Sequence, residues 1–158
     1  MSFTFFFTDS SPFSQWYRCS FTVDGNTFNC AEQFMMYGKA KLFGDAETAA
    51  LILAADHPRE HKALGRKVKR FDEAIWKRER EAIVLAGNRA KFTQNPELEQ
   101  VLRATAGTTL VEASPYDRIW GIGLAATDPR AQDVTQWKGM NLLGKILTQL
   151  REELLANN

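Results

Sequence analysis

The chain has 158 residues, is 44% hydrophobic and 25% charged, and carries a formal net charge of +1. That length predicts one domain spanning residues 1–158, large enough to bury a core without disulfides or metal. The near-neutral balance excludes a global pull towards nucleic acid or anionic membranes.

Two cysteines, Cys19 and Cys30, fit neither a zinc site nor a redox pair. No apolar run approaches the roughly 20 residues of a membrane span. The Phe-rich start, Phe3 to Phe7, has no basic region before it and is too short for a signal peptide. The expectation is a reduced, cytoplasmic protein with no membrane partner.

Phe3–Phe7 reads as a strand followed by a Ser10-Ser11-Pro12 turn. Cys19–Val23 and the residues after Asn26 form a predicted hairpin around Asp24-Gly25-Asn26. Helices are expected over Ala31–Phe43, Ala46–Ala55, Pro58–Val68, Asp72–Phe92 and Pro96–Ala106, with Gly, Pro or Asn near most boundaries. Thr108–Glu112 and Ile119–Leu124 return to strand-like composition. A last helix is expected from Met140 to Leu155, with Met140, Leu143, Leu147, Leu150 and Leu154 along one stripe. Long helices between short strands predict an α+β fold, predominantly helical, in a single domain.

The segment Ala113–Leu124 carries the most chemical information. It gathers a proline, Tyr116, Asp117, Arg118, Trp120, Gly121 and Gly123 between apolar runs. Two glycines allow close approach of backbone or ligand, and the rings and charges suit a pocket wall. A turn leading into a Gly-containing strand accounts for the same composition.

In the first helix, at about 100° per residue, Ala31, Phe34, Met35, Gly38 and Leu42 share one apolar face. Glu32 and Lys39 fall almost on one line at its edge, about 10 Å apart along the axis. That leaves room for a small ligand between them. A Lys at the margin of a core loses hydration, which favours a neutral, nucleophilic amine able to add to the C1 carbon of an opened sugar. The competing reading is a snorkelling Lys that covers apolar surface.

The long fourth helix has Ile75, Trp76, Ala82, Ile83, Ala86 and Ala90 as its apolar stripe, with Glu79 inside it. Glu79 either faces a pocket or pairs with an Arg, and Arg78, Arg80 and Arg89 on the same helix favour the pair. Glu112 and Asp117 flank the aromatic loop as two carboxylates, a pairing that glycosidic chemistry uses for acid and base or nucleophile. Gly139-Met-Asn-Leu-Leu-Gly144 opens the last helix, where free amides behind Lys138 could hold a phosphate. A plain capped helix explains it equally.

His57 and His61 lack a third ligand and read as surface residues, because Pro58 biases His57 away from helical geometry. Arg59–Arg70 holds six basic residues against one acid, Glu60. It reads as a solvated helix face, or else as a contact for nucleic-acid phosphates.

Taken in order, several stretches resemble the YbiA/NADAR family of N-glycosidases. They are Ser11–Trp16, Asn29–Asp45, Asn88–Phe92, Leu110–Gly123 and Trp137–Gly144. The resemblance covers essentially the whole chain. It implies hydrolysis of the bond between ribose C1 and a nitrogen, with no metal and no cofactor.

The substrates it implies are phosphoribosylamino-pyrimidines of riboflavin biosynthesis, releasing ribose 5-phosphate, or ADP-ribosylated guanine in nucleic acid. A module that only binds a nucleotide or ADP-ribose is the third expectation. By the same resemblance Lys39, Glu112 and Asp117 are the catalytic candidates, with Lys39 covalent or charge-stabilising and the acids handling protons. Glu32 would orient the sugar hydroxyls, Tyr116 and Trp120 would stack on the pyrimidine, and Asn141 would help at the ribose or phosphate end. Gly38, where relatives often carry a polar residue, is expected to loosen the helix locally.

Overall fold

A computed structural model describes residues 1–157. Along the chain lie β1 (Phe3–Phe6), β2 (Phe21–Val23), β3 (Asn26–Phe28), α1 (Ala31–Leu42), α2 (Ala46–Ala54) and α3 (Pro58–Gly65). There follow α4 (Glu73–Thr93), α5 (Pro96–Arg103), β4 (Thr109–Glu112) and α6 (Leu142–Ala156), with two 3-10 turns before α6. Among the described residues, six helices and four short strands make the fold α+β. The residues divide into two compact units, Gln15–Asn95 and Met1–Ser14 together with the chain from Pro96 onward.

The unit Gln15–Asn95 is helical around α1. Its β2–β3 hairpin turns at Asp24 and Gly25, both with positive φ, and pairs Val23 with Asn26. Two left-handed residues in sequence give the turn whose twist suits the flanking strands. Helix starts are fixed by side chains: Asp45 accepts from the Thr48 amide, Asp72 from Ile75, and His57 from Arg59. Helix α1 packs against α2, α3, α4 and β3. It therefore buries more than one face: Ala31, Glu32, Gln33, Met35, Met36 and Ala40 are buried, whereas Leu42 is 36% exposed.

The expected stripe on α4 is not the buried one. Arg80, Val84, Gly87, Asn88, Lys91 and Phe92 are buried there, while Ala82 and Ala86 are exposed. Gly38 serves close approach, since a Cβ there would stand 2.7 Å from the Ile83 side chain on α4. Glu79 does pair with an arginine, Arg78, at 3.5 Å.

Histidine 61 is not on the surface. It is fully buried, with Nε2 2.7 Å from the Ala55 carbonyl and Nδ1 3.6 Å from Cys30 Sγ. The carbonyl fixes the proton on Nε2, so Nδ1 accepts from the thiol. Burial pushes the Cys30 thiol up to about 11, which marks it as a packed, unreactive group.

Lys91 is wholly buried with Nζ 4.9 Å from the Phe92 ring centroid and 5.5 Å from that of Tyr17. Burial lowers its amine to about 8. Above that pH the unfolded chain binds the extra proton, so Lys91 makes folding more favourable as pH rises towards its ordinary value. Cys30 acts oppositely above pH 9, because its raised thiol keeps its proton only in the folded state. Comparing wild type with Lys91→Met isolates the lysine. Urea unfolding should show wild type gaining about 1 kcal/mol on the variant between pH 8 and 9. An unchanged difference would mean the amine is not held low.

The other unit pairs β1 with β4 in parallel, Phe3 opposite Thr109 through Phe6 opposite Glu112. Helix α6 packs on β4 and buries Leu142, Leu143, Ile146, Leu147 and Leu150, whereas Met140, outside the helix, is 50% exposed. Val111, Ile122, Leu124 and Ala131 form a further core cluster, against which Phe3, Phe5 and Trp137 pack.

Residues 119–124 are not a strand. Asp117 Oδ1 accepts from the Ile119 and Trp120 amides at 2.9 and 2.8 Å, which winds the segment into a turn, and Gly123 takes φ +71°.

Candidate active site

Lys39 lies in the last turn of α1, partly buried, with Nζ 4.6 Å from the Phe71 ring centroid and 5.6 Å from that of Trp76. Burial lowers the amine below its ordinary range. The Glu32 carboxylate opposes that shift and the Arg66 charge adds to it. The rings favour the charged form, so the site balances a dry environment against quadrupoles that retain the cation.

The segment that supplies Phe71 is firmly tied. Asp45 accepts from the Lys69 amide at 2.9 Å, which with the Thr48 amide and hydroxyl pulls its carboxyl down to about 2. Arg70 donates from Nε to the Phe43 carbonyl and from Nη2 to that of Gly44, capping the end of α1. The Phe43 and Phe71 rings meet edge-on at 5.4 Å. The end of the basic run thus builds this wall: Arg70 caps α1 and Lys69 faces Glu47 at 3.9 Å. Phe71 and Trp76 are functional candidates that the sequence alone did not single out, because neither belongs to a recognisable motif.

Glu32 sits in the first turn of α1, only 6% exposed, and its amide donates to the Gln15 carbonyl at 2.9 Å. The neighbouring buried amides are fixed in orientation. Asn88 Nδ2 donates to the Val84 carbonyl and to Gln15 Oε1, both at 2.9 Å.

Within the other unit Glu112 ends β4, half-buried. Its carbonyl accepts from the Ile122 amide at 3.0 Å. Gly121 lies directly against it: a Cβ there would stand 2.9 Å from the Glu112 carbonyl, 3.3 Å from Oε2 and 3.0 Å from the Asp117 carbonyl. The glycine therefore lets the acidic strand end and the loop close on one another.

Asp117 commits Oδ1 to two loop amides, a structural task. Tyr116 is 87% exposed, with its ring 6.4 Å from that of Phe7, and Trp120 is partly buried.

Asn141, expected at the ribose or phosphate end, lies at the start of α6. It is fully buried, with Oδ1 accepting from the Glu112 amide at 3.0 Å and Nδ2 donating to the Leu110 carbonyl at 3.1 Å. Both ends of its amide face β4 backbone.

The amides at the start of α6 are taken as well. Those of Met140, Asn141, Leu142 and Leu143 donate to the carbonyls of Arg118, Gly121, Ile119 and Trp120 at 2.9–3.2 Å. The loop's own carbonyls therefore take these four amides, and none of the four is left for a phosphate.

Among the described residues no group of three or more His, Cys, Asp or Glu is gathered as a metal site. No described helix is long and apolar enough to cross a membrane.

The NADAR domain profile matches residues 4–155. The chain belongs to the NADAR domain family. It is 44% identical over 146 residues to N-glycosidase R617 of Acanthamoeba polyphaga mimivirus, covering 89% of this chain and 86% of that protein. It is 32% identical over 146 residues to N-glycosidase YbiA of Escherichia coli, covering 92% and 81%. The NMR structure of E. coli YbiA superposes with a TM-score of 0.81 at 29% identity, over 99% of this chain and 86% of that one. A third relative, the chloroplastic riboflavin biosynthesis protein PYRR of Zea mays, is 35% identical over 109 residues, which are 66% of this chain and 16% of the maize protein.

Proposed function

We propose that this NADAR protein is an N-glycosidase hydrolysing the C1–N bond of phosphoribosylamino-pyrimidine intermediates of riboflavin biosynthesis, with release of ribose 5-phosphate. The observation that carries the reading is the conjunction among its relatives: two are named N-glycosidases and one a riboflavin biosynthesis protein.

Cleavage of such a bond needs a proton on the departing nitrogen and a partner for the electron-poor C1. Glu112 is assigned the proton, since Asp117 is occupied in holding its own loop. As the C1–N bond breaks, the leaving amine takes that proton and the Lys39 Nζ lone pair forms a bond to C1. The adduct opens to an imine as the C1–O4 bond breaks, the ring oxygen taking a proton from Nζ. Water then adds to C1 with the Glu112 carboxylate accepting a proton, and the Nζ–C1 bond breaks to release the sugar and the neutral amine. Exposed Tyr116 and partly buried Trp120 offer ring faces for the pyrimidine. Glu32 is assigned to the sugar hydroxyls.

The test is to incubate the protein with the two early phosphoribosylamino-pyrimidines and follow ribose 5-phosphate by mass spectrometry, beside Lys39→Ala and Glu112→Gln. Release by wild type and its loss in both variants is expected. If free mononucleotides are left intact while ADP-ribosylated guanine in DNA is cleaved, with a steep fall in salt, the substrate class is the nucleic-acid one. Affinity without any product would leave a binding module.

A further inference from the structure

We propose that Asn141 is a positioning residue for Glu112, acting from behind the strand rather than on the substrate. The inference rests on Glu112 as the proton-handling group.

Among the described residues, strand β4 has β1 on one edge and no strand on the other. Along β4, three backbone groups are taken by side chains from α6 and its start. The Leu110 amide donates to Thr148 Oγ1 at 3.0 Å, the Leu110 carbonyl accepts from Asn141 Nδ2, and the Glu112 amide donates to Asn141 Oδ1. The Thr148 hydroxyl in turn donates to the Gly144 carbonyl at 2.7 Å. These side chains do the work of a missing third strand.

Asn141 holds one further link, its own amide on the Gly121 carbonyl at 3.0 Å. Gly121 is the residue against which the Glu112 carboxylate lies. A single side chain and its backbone therefore tie the base of Glu112 to the floor beneath its carboxylate. To do so Asn141 adopts the left-handed conformation, φ +51° and ψ +40°. Asn tolerates that region better than most side chains, because its short polar group can hydrogen-bond locally. An amide is also the side chain that can donate to Leu110 and accept from Glu112 at once, which neither Asp nor Ala can do.

The consequence is a separation of effects. A residue that binds substrate and transition state alike changes KM when removed. One that aims an acid changes kcat, and a misplacement near 1 Å costs on the order of 10²-fold.

Asn141→Gly keeps the left-handed backbone and deletes both hydrogen bonds. It is expected to lower kcat about 10- to 100-fold with KM within about twofold. Asn141→Asp keeps the shape and the acceptor but sets a negative charge beside Glu112. It is expected to move the Glu112-dependent limb of the pH–rate profile upward.

Carboxyl 13C titration of Glu112, in wild type and Asn141→Asp without substrate, reads the same displacement independently of turnover. A wild type that cleaves no N-glycoside would sink the functional reading while that titration still decides this one. A rise in KM with kcat retained, or an unmoved Glu112 titration, overturns the proposal. If Asn141→Gly does not fold, the near-isosteric Asp variant carries both readouts.

Discussion

Lys39→Arg is expected to abolish turnover, on the order of 10³-fold, while leaving the fold intact. Arginine keeps the positive charge and the contact with the Phe71 and Trp76 rings but cannot be deprotonated in a protein. The substitution separates two uses of the same position. A lysine that only stabilises charge would be replaced well by arginine, whereas a lysine that bonds to C1 would not.

The pH dependence follows from the direction of the shift. Burial lowers the Lys39 amine, so its neutral fraction and the rate should rise with pH and level off below its ordinary value of 10.5. The Glu32 carboxylate resists that lowering, so Glu32→Gln should move the rising limb to lower pH. Borohydride added during turnover should leave a reduced sugar adduct on Lys39. An active Arg variant, or turnover with no adduct, would replace the covalent route with direct attack of water on an oxocarbenium-like centre.

Much of this was legible in the sequence where local chemistry decides local structure. The Asp24-Gly25-Asn26 turn and the helix starts expected at Ala46, Pro58 and Asp72 each state a boundary that the structure keeps to within a few residues. The placement of Lys39 at the margin of a core was legible too, because 3.6-residue spacing fixes which positions share an edge.

What failed did so where tertiary contacts override composition. Ile119–Leu124 has the residues of a strand, yet the Asp117 carboxylate captures two of its amides and bends it. Hydropathy chose Ile75, Trp76 and Ile83 as the inner face of α4. The buried line carries Arg80, Asn88 and Lys91, whose burial depends on partners that no periodicity reveals. His61 reads as polar surface until Cys30 and the Ala55 carbonyl are seen on either side of it. For Asn141 the family motif offers a substrate contact, whereas its buried hydrogen bonds to β4 support the positioning role proposed above. The motif's spacing says which residues recur together, but not which of them stand behind the others.

The largest effect on stability is expected at Gly144. In the first turn of α6, a Cβ on this residue would run into the Leu110 carbonyl and both ends of the Asn141 side-chain amide. None of these can yield cheaply. The Leu110 carbonyl and Asn141 Nδ2 are bonded to each other, the Leu110 amide is held by Thr148, and Leu110 itself is wholly buried.

Gly144→Ala must therefore move α6 off β4 or break the asparagine link. The expected loss is about 3 kcal/mol, at the upper end for overpacking. Gly107→Ala is the contrasting case: φ is +87° and nothing lies within 4 Å of its Cβ. Its cost is backbone strain alone, about 1–2 kcal/mol.

Urea unfolding of the two variants measures the difference. The Gly107 variant should keep the kcat of wild type in its folded fraction. The Gly144 variant should lose kcat in the folded fraction as well, because the displaced amide is the one that holds Glu112. If Gly144→Ala costs no more than Gly107→Ala, the helix is free to shift and the rigid backing assigned to Glu112 does not exist.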